Sequence, residues 1–422
     1  MHKAGIARTI AEQRLESFLS ELSVVRQSDF PYPDSANALK ELETFVRRDL
    51  DELRELDDDS DPLIVLQASR RSLRHIVTWL PKLGFLLRST NTRNAFEVHP
   101  PLAWIARQLD PEIGLVLSSE WTYHPFVYPP EGPLQRFALI GLPAIESSNA
   151  LLVPAAGHEL GHVVWRQARL ASQYSGLLRD AVLKHLFSFA SRFATLNRLG
   201  SFDPSAPQQS VEALAIWSQY QKWASLQAEE LYCDLLGVRL FGIAYIRAFA
   251  YLLGGAQGGR STGYPALKHR MQTILSAAES LGNSPDAYGV PPAEFEELCD
   301  ADEATSNWSE AEKLGLAAAD HAALSITDAL LSEIVERTRR AALPVPSPEQ
   351  ATRVAKSFER LAPAHDCLSL ADILNGAWMA AQAINQSRPE GRSSRLRILN
   401  ELVLKTIEVF HIEQRFSPQA KA

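Results

Sequence analysis

Leu151-Leu152-Val153-Pro154-Ala155-Ala156-Gly157-His158-Glu159-Leu160-Gly161-His162-Val163-Val164-Trp165 is the stretch on which the reading of this chain turns. The apolar lead and the Pro-Ala-Ala-Gly that follows read as a helix start, and the bulky apolar residues after His162 continue it. On such a helix His158 and His162 project from one face, a turn apart, so both imidazoles reach a single ion. Glu159 stands about 100° further round, where it takes a proton from a water on that ion without occupying the ion itself. The spacing is the shortest that builds a catalytic zinc site on one helix. The bland alternative is an ordinary amphipathic helix that happens to carry two histidines.

A catalytic zinc takes three protein ligands and keeps one position open. The metzincin arrangement, with a third histidine six residues after the second, is excluded because that position is Ala168. The other common arrangement draws a glutamate from a later helix, followed four residues on by an aspartate, and Glu230-Leu231-Tyr232-Cys233-Asp234 fits it. Residues four apart share a face, so Glu230 is the candidate third ligand while Asp234 accepts the free N–H of one zinc-bound imidazole. The long helical pattern around Glu230 runs into the apolar Leu235 to Leu240, where a carboxylate pair is expensive to bury unless it binds something. A rival pair, Glu296 and Asp300, follows Pro291-Pro292 among other acidic residues and reads as a solvated helix start, and His185 and His269 are outside alternatives.

Further from the motif, composition narrows the function classes. The 422 residues are 46% hydrophobic and 22% charged, as in an ordinary globular protein. A net charge of −8 argues against nucleic-acid binding, which needs a clustered basic face. Arg388, Arg392, Arg395 and Arg397 crowd one segment, but Pro389 and Gly391 among them mark a solvated turn. Cys233, Cys299 and Cys367 are too widely spaced for a disulfide framework or a zinc knuckle, which suits a reducing compartment. The charged amphipathic N-terminus has no apolar signal core, and the most membrane-like stretch, Leu235 to Ala256, carries Arg239 and Arg247. With an arginine at a bilayer centre costing on the order of 3 kcal/mol, that stretch reads as a buried core helix. The expectation is a cytoplasmic protein without a membrane span.

The fold class expected is mostly α with a small β-sheet, in three blocks. Residues 1–110 are helical: Ile6, Ile10, Leu15, Phe18, Leu19 and Leu22 keep a helical period, as do Leu39, Leu42, Phe45, Val46, Leu50 and Leu53. The acidic run Asp57 to Asp61 before Pro62 reads as a turn between helices rather than a calcium loop, lacking the glycine and terminal glutamate of the latter. Residues 111–282 form a zincin-like core that opens with two extended stretches, Gly114 to Ser119 and Phe137 to Leu142. A strand edge beside a metal-bearing helix suits a peptide held extended, although both strands are equally readable as structural. Residues 283–422, beyond the turn at Asn283-Ser284-Pro285, are again helical.

The order HELGH, then EELYCD, then Ser261-Thr262-Gly263-Tyr264-Pro265 and Arg270-Met271 resembles the gluzincin metallopeptidases, in particular the soluble core of the CAAX-prenyl-protease type. That family shows HExxH, then ExxxD, then a His-Pro dipeptide with an arginine five residues after the proline. The resemblance runs from about Phe137 to Met271 and implies His158, His162 and Glu230 as ligands, Glu159 as base and Asp234 behind a ligand, with Tyr264 and Arg270 beside the cleft. Tyr264 stands where the family has histidine, and the membrane helices of the membrane-bound members are missing.

The resulting expectation is a zinc peptidase acting on a peptide or protein substrate, with Glu159 as general base. Tyr264 is the first candidate to stabilise the oxyanion, followed by His269 and Arg270; it also reads as a turn residue with its ring in the core. The flanking helical blocks are expected to restrict access to specific partners. The competing class is a non-enzymatic, partner-binding helical protein with a structural or relic metal site; an intact Glu159 speaks against it, since a structural zinc needs no base.

Overall fold

The periodic stretches fold as helices and the two apolar runs near residues 115 and 140 as strands, giving a mostly α architecture with one small sheet. The computed structural model describes residues 3–56, 59–91, 96–253, 260–300 and 304–416. The chain divides into two compact units, Met1–Ser148 and Asn149–Ala422. The strands therefore group with the N-terminal helices, and residues 149–282 group with the C-terminal ones, a different partition from the three blocks read along the sequence.

In the first unit α1 (Lys3–Val25), α2 (Pro33–Arg54), α3 (Pro62–Arg88) and α4 (His99–Leu109) pack with β1 (Gly114–Glu120), β2 (Phe126–Val127) and β3 (Phe137–Pro143). β3 is central, parallel to β1 and antiparallel to β2. Leu15, Phe18, Leu22, Leu39, Leu42 and Leu86 lie in one buried cluster with Val116 and Leu139 of the strands. The buried line on α1 is Ala4, Ala11, Leu15, Phe18, Leu22 and Val25, which keeps a seven-residue repeat; Ile6 and Ile10 fall off that line and are exposed, unlike the stripe expected. Asp61 caps α3 by accepting from the Leu63 N–H at 2.8 Å, in keeping with a helix-to-helix turn, while residues 57–58 of the acidic run lie outside the described residues.

The second unit holds α5 (Ala155–Gln167), α6 (Leu170–Ser188), α7 (Ala190–Leu196), α8 (Val211–Phe241), α9 (Ile243–Leu253), α10 (Leu267–Ser280) and α11 (Glu296–Cys299). It continues with α12 (Glu310–Ser325), α13 (Thr327–Arg340), α14 (Pro348–Glu359), α15 (Leu370–Gln386) and α16 (Arg392–Phe416). The 31-residue α8 is its axis, packed by α5, α6, α9, α10, α12, α13 and α15. Helices α5 and α8 run antiparallel and very close, because glycines remove the side chains between them. A Cβ on Gly157 would meet Phe241 at 2.8 Å, and one on Gly161 would meet the Cys233 Cα at 2.7 Å.

The apolar stretch from Leu235 breaks at Gly242, whose φ of 58° is a left-handed value that glycine adopts freely. Asn375 on α15 bridges the break: its amide donates to the Phe241 carbonyl at 2.8 Å and accepts from the Ala244 N–H at 2.8 Å. Both arginines within the stretch are buried with partners. Arg239 donates to the carbonyls of Leu343 and Pro344, and Arg247 to Glu294, Gln382 and the Trp378 carbonyl. Residues 254–256 at its end lie outside the described residues, and no single described helix is long and apolar enough to cross a membrane. Of the arginines read as a solvated turn only Arg388 precedes α16; Arg392, Arg395 and Arg397 lie in its first two turns, with Arg392 donating to the Ser387 carbonyl and Arg395 to those of Arg388 and Glu390.

Candidate metal centre

The antiparallel pairing of α5 and α8 brings the two sequence motifs face to face. His158 and His162 stack edge to face with ring centroids 5.0 Å apart. Their Nε2 atoms converge on one carboxylate: His158 Nε2 lies 3.3 Å from Glu230 Oε2 and His162 Nε2 lies 3.6 Å from Glu230 Oε1. Their other nitrogens are held by separate carboxylates. His158 Nδ1 meets Asp234 Oδ1 at 2.9 Å, and His162 Nδ1 meets Glu229 Oε1 at 2.8 Å.

Ionised carboxylates only accept, so each Nδ1 carries the proton and each Nε2 presents a lone pair towards Glu230. Lone pairs facing a carboxylate repel unless a cation or a proton lies among them. Glu230 Oε2 is buried without a hydrogen bond, facing His158 Nε2 and, at 3.7 Å, Arg270 Nη2, so a cation among the three donors completes its surroundings. The charge balance points the same way. Four carboxylates (Glu159, Glu229, Glu230 and Asp234) face two guanidiniums (Arg166 and Arg270), leaving two negative charges when the imidazoles are neutral. A divalent ion is the complement of that set, and two imidazoles with a carboxylate are a zinc-type donor set. Without an ion a proton takes the same place: burial disfavours a charged His158, but Asp234 and Glu230 overcome it and push its pKa up to about 10.

Asp234 is fully buried at a hub. Besides His158 it accepts from the Tyr245 hydroxyl at 2.7 Å and from Arg270 Nε and Nη2 at 2.7 and 2.8 Å. Burial works against its charge, yet Arg270 and His158 hold its carboxyl well below the ordinary range. Arg270 is in turn clasped between the rings of Phe249 and Tyr264, 4.9 and 5.1 Å from their centroids, so its guanidinium is committed to Asp234. Glu159 is buried, which raises its pKa, with the neighbouring histidines acting in the opposite direction.

Tyr264 lies over Arg270 with 46% of its surface exposed; its ring is not in the core. The negative charge of Glu230, then burial, pushes its hydroxyl up to about 12, so it remains a donor at neutral pH. Its loop is tied down on two sides. The buried Arg260 donates to the Ser261 carbonyl at 3.0 Å, to the Tyr264 carbonyl and to Asp320 on α12, while Gln227 of α8 donates to the Thr262 carbonyl at 3.4 Å.

Cys233 also offers a sulfur within 4.8 Å of ring nitrogens of both histidines. Burial and the ring of carboxylates push its thiol well above its ordinary pKa, and Asp234 and Glu229 already occupy the Nδ1 atoms. Glu230 therefore fits the third position better, and Cys233 serves as the surface on which Gly161 packs. The sequence alternatives lie apart in their described contacts. Glu296 is exposed on the short α11, His185 stacks with Phe189 and His321, and His269 lies 3.9 Å from Asp320. Sequence reasoning missed Glu229, Tyr245 and the Arg260 tie. Only Glu229 had a local signal, as the first of two adjacent glutamates.

Comparison with known protein families, curated proteins and solved structures finds no match to this chain.

Proposed function

We propose that this protein is a zinc-dependent peptidase in which His158, His162 and Glu230 hold the ion and Glu159 is the general base. The observation that carries the reading is the convergence of both Nε2 atoms on the buried carboxylate of Glu230, with Glu159 buried on the same helix. Bound zinc supplies a Lewis acid that polarises a carbonyl and acidifies water. Glu159 takes the proton of the attacking water and passes it to the leaving amine; its raised pKa brings it closer to neutrality, as a base that must also act as acid requires. Asp234 keeps the His158 lone pair aimed inwards, and Tyr264 donates to the oxygen that becomes negative.

Metal content and hydrolysis test this together. The protein is expected to take up close to one zinc, and His158→Ala, His162→Ala or Glu230→Ala to lose it or bind it much more weakly. Glu159→Gln keeps the ion and abolishes turnover, whereas Tyr264→Phe keeps the ion and slows turnover by roughly 10²- to 10³-fold. Retained hydrolysis in Glu159→Gln sinks the mechanism. Full zinc binding by Glu230→Ala moves the ligand role elsewhere.

A further inference from the structure

The two imidazoles of the centre are held by unequal supports. Asp234, behind His158, is fully buried and fixed by Tyr245 and both Arg270 contacts. Glu229, behind His162, keeps 14% of its side chain exposed, and Arg166 approaches the same Oε1 at 3.3 Å. The pairing of α5 with α8 explains the difference. One turn of α5 beyond His162 stands Arg166, and the residue that continues the ladder on α8, opposite it, is the exposed Leu226, so Arg166 turns back to Glu229.

We propose that Glu229, clamped by Arg166, is a positioning residue for His162: it fixes the Nδ1–H tautomer and aims the Nε2 lone pair at the ion. The proposal rests on the reading of His158, His162 and Glu230 as the metal site. Three features of the geometry carry it. The His162 Nδ1 contact of 2.8 Å is as short as the Asp234 contact to His158. An ionised Glu229 has only lone pairs to offer, so the proton on Nδ1 is obligatory. The Arg166 charge offsets part of the repulsion of a further carboxylate beside Glu159, Glu230 and Asp234 and draws the Glu229 oxygen towards α5. The second imidazole thereby acquires a carboxylate–histidine pair that is shallower and more open to solvent than the first.

The full-length chain is titrated with zinc in competition with a chromophoric chelator, and the cobalt(II)-substituted protein is followed by its visible absorption. Glu229→Ala is expected to weaken zinc by roughly 10- to 100-fold and to change the cobalt spectrum while the far-ultraviolet circular dichroism stays unchanged. Glu229→Gln recovers part of the loss, because its amide oxygen accepts the same bond without the charge. Arg166→Ala weakens zinc less, and in a Glu229→Ala background it has no further effect. Unchanged affinity and spectrum in Glu229→Gln and Glu229→Ala, with wild-type protein binding zinc tightly, overturn the role of Glu229 and leave the metal site standing. If Glu229→Ala fails to fold, the Glu229→Gln affinity and spectrum decide alone. A wild-type chain that takes up no zinc overturns both.

Discussion

At the scale of single residues, the centre is a set of hydrogen-bond directions rather than a set of charges. Asp234, as an ionised carboxylate, can only accept, and it does so from His158, Tyr245 and Arg270; replacing one of its oxygens by an NH₂ turns an acceptor into a donor facing Arg270 or His158. Asp234→Asn is therefore expected to weaken zinc by roughly 10- to 100-fold, as removal of such a partner does elsewhere. Tyr245→Phe leaves Asp234 with His158 and Arg270, so its loss is expected to be under about tenfold. The comparison is made by chelator competition on both variants; equal losses show that the hydroxyl contributes as much as the whole carboxylate, contrary to the geometry. These directions were only partly visible in the sequence. His158, Glu159 and His162 are legible because one helical turn places them by local geometry alone. Glu230 and Asp234 are legible in the same way, once a second helix is assumed. Tyr245 was not, because it lies on a different helix from Asp234, beyond the break at Gly242.

At the scale of elements, the break between α8 and α9 is what returns Tyr245 to Asp234. A continuous helix would carry position 245 about three turns past 234, on a roughly similar face but far along the axis. Gly242 folds the chain back, and Asn375 satisfies the carbonyl and N–H that the break leaves open. Asn375 is 2% exposed, so water has little access to those two backbone groups once its amide is removed. Asn375→Ala is expected to destabilise the protein by about 2–6 kcal/mol, with about 1–3 for each of the two unsatisfied groups. Chemical denaturation measures it, and a change below about 1 kcal/mol shows that water repairs the break. Little in the residues themselves marks this element boundary. The apolar run from Leu235 passes through Gly242 with no proline or turn cluster to mark a break, and the residue that makes the break tolerable lies more than a hundred positions later. The strands were easier to place, since short apolar runs bounded by turn residues leave few alternatives; their company was not, because periodicity says which residues are buried but not against what.

At the scale of the whole molecule, the centre joins α5, α8, α9 and α10 inside the second compact unit. An ion that binds this folded arrangement and not the unfolded chain adds stability by mass action, about 4 kcal/mol at a thousand times its dissociation constant. Zinc is expected to raise the melting temperature of the wild type and to leave that of His158→Ala unmoved, a difference read by calorimetry with and without a chelator. Equal shifts in both place the binding elsewhere. The axis helix α8 is packed by seven others within that unit, which supports a centre with restricted access. Zinc-loaded protein is expected to cleave casein poorly; rapid, unselective digestion removes the idea of partner-restricted action.

The contact of Gly161 with Cys233 sets the gap between the two helices, and the gap sets the bite of the proposed ligands. The histidines belong to one wall and Glu230 to the other, so the span between them is an interhelical distance before it is a coordination distance. Zinc bonds to nitrogen and oxygen fall near about 2.0–2.2 Å, with about 0.2 Å of tolerance, whereas calcium bonds are about 2.3–2.6 Å. A methyl group at position 161 would meet the Cys233 Cα at 2.7 Å, closer than any ordinary contact, so the jaws would have to part by more than that tolerance. The size of ion that fits is thus gauged by a hydrogen atom that never touches it: Gly161 acts as the stop on a calliper.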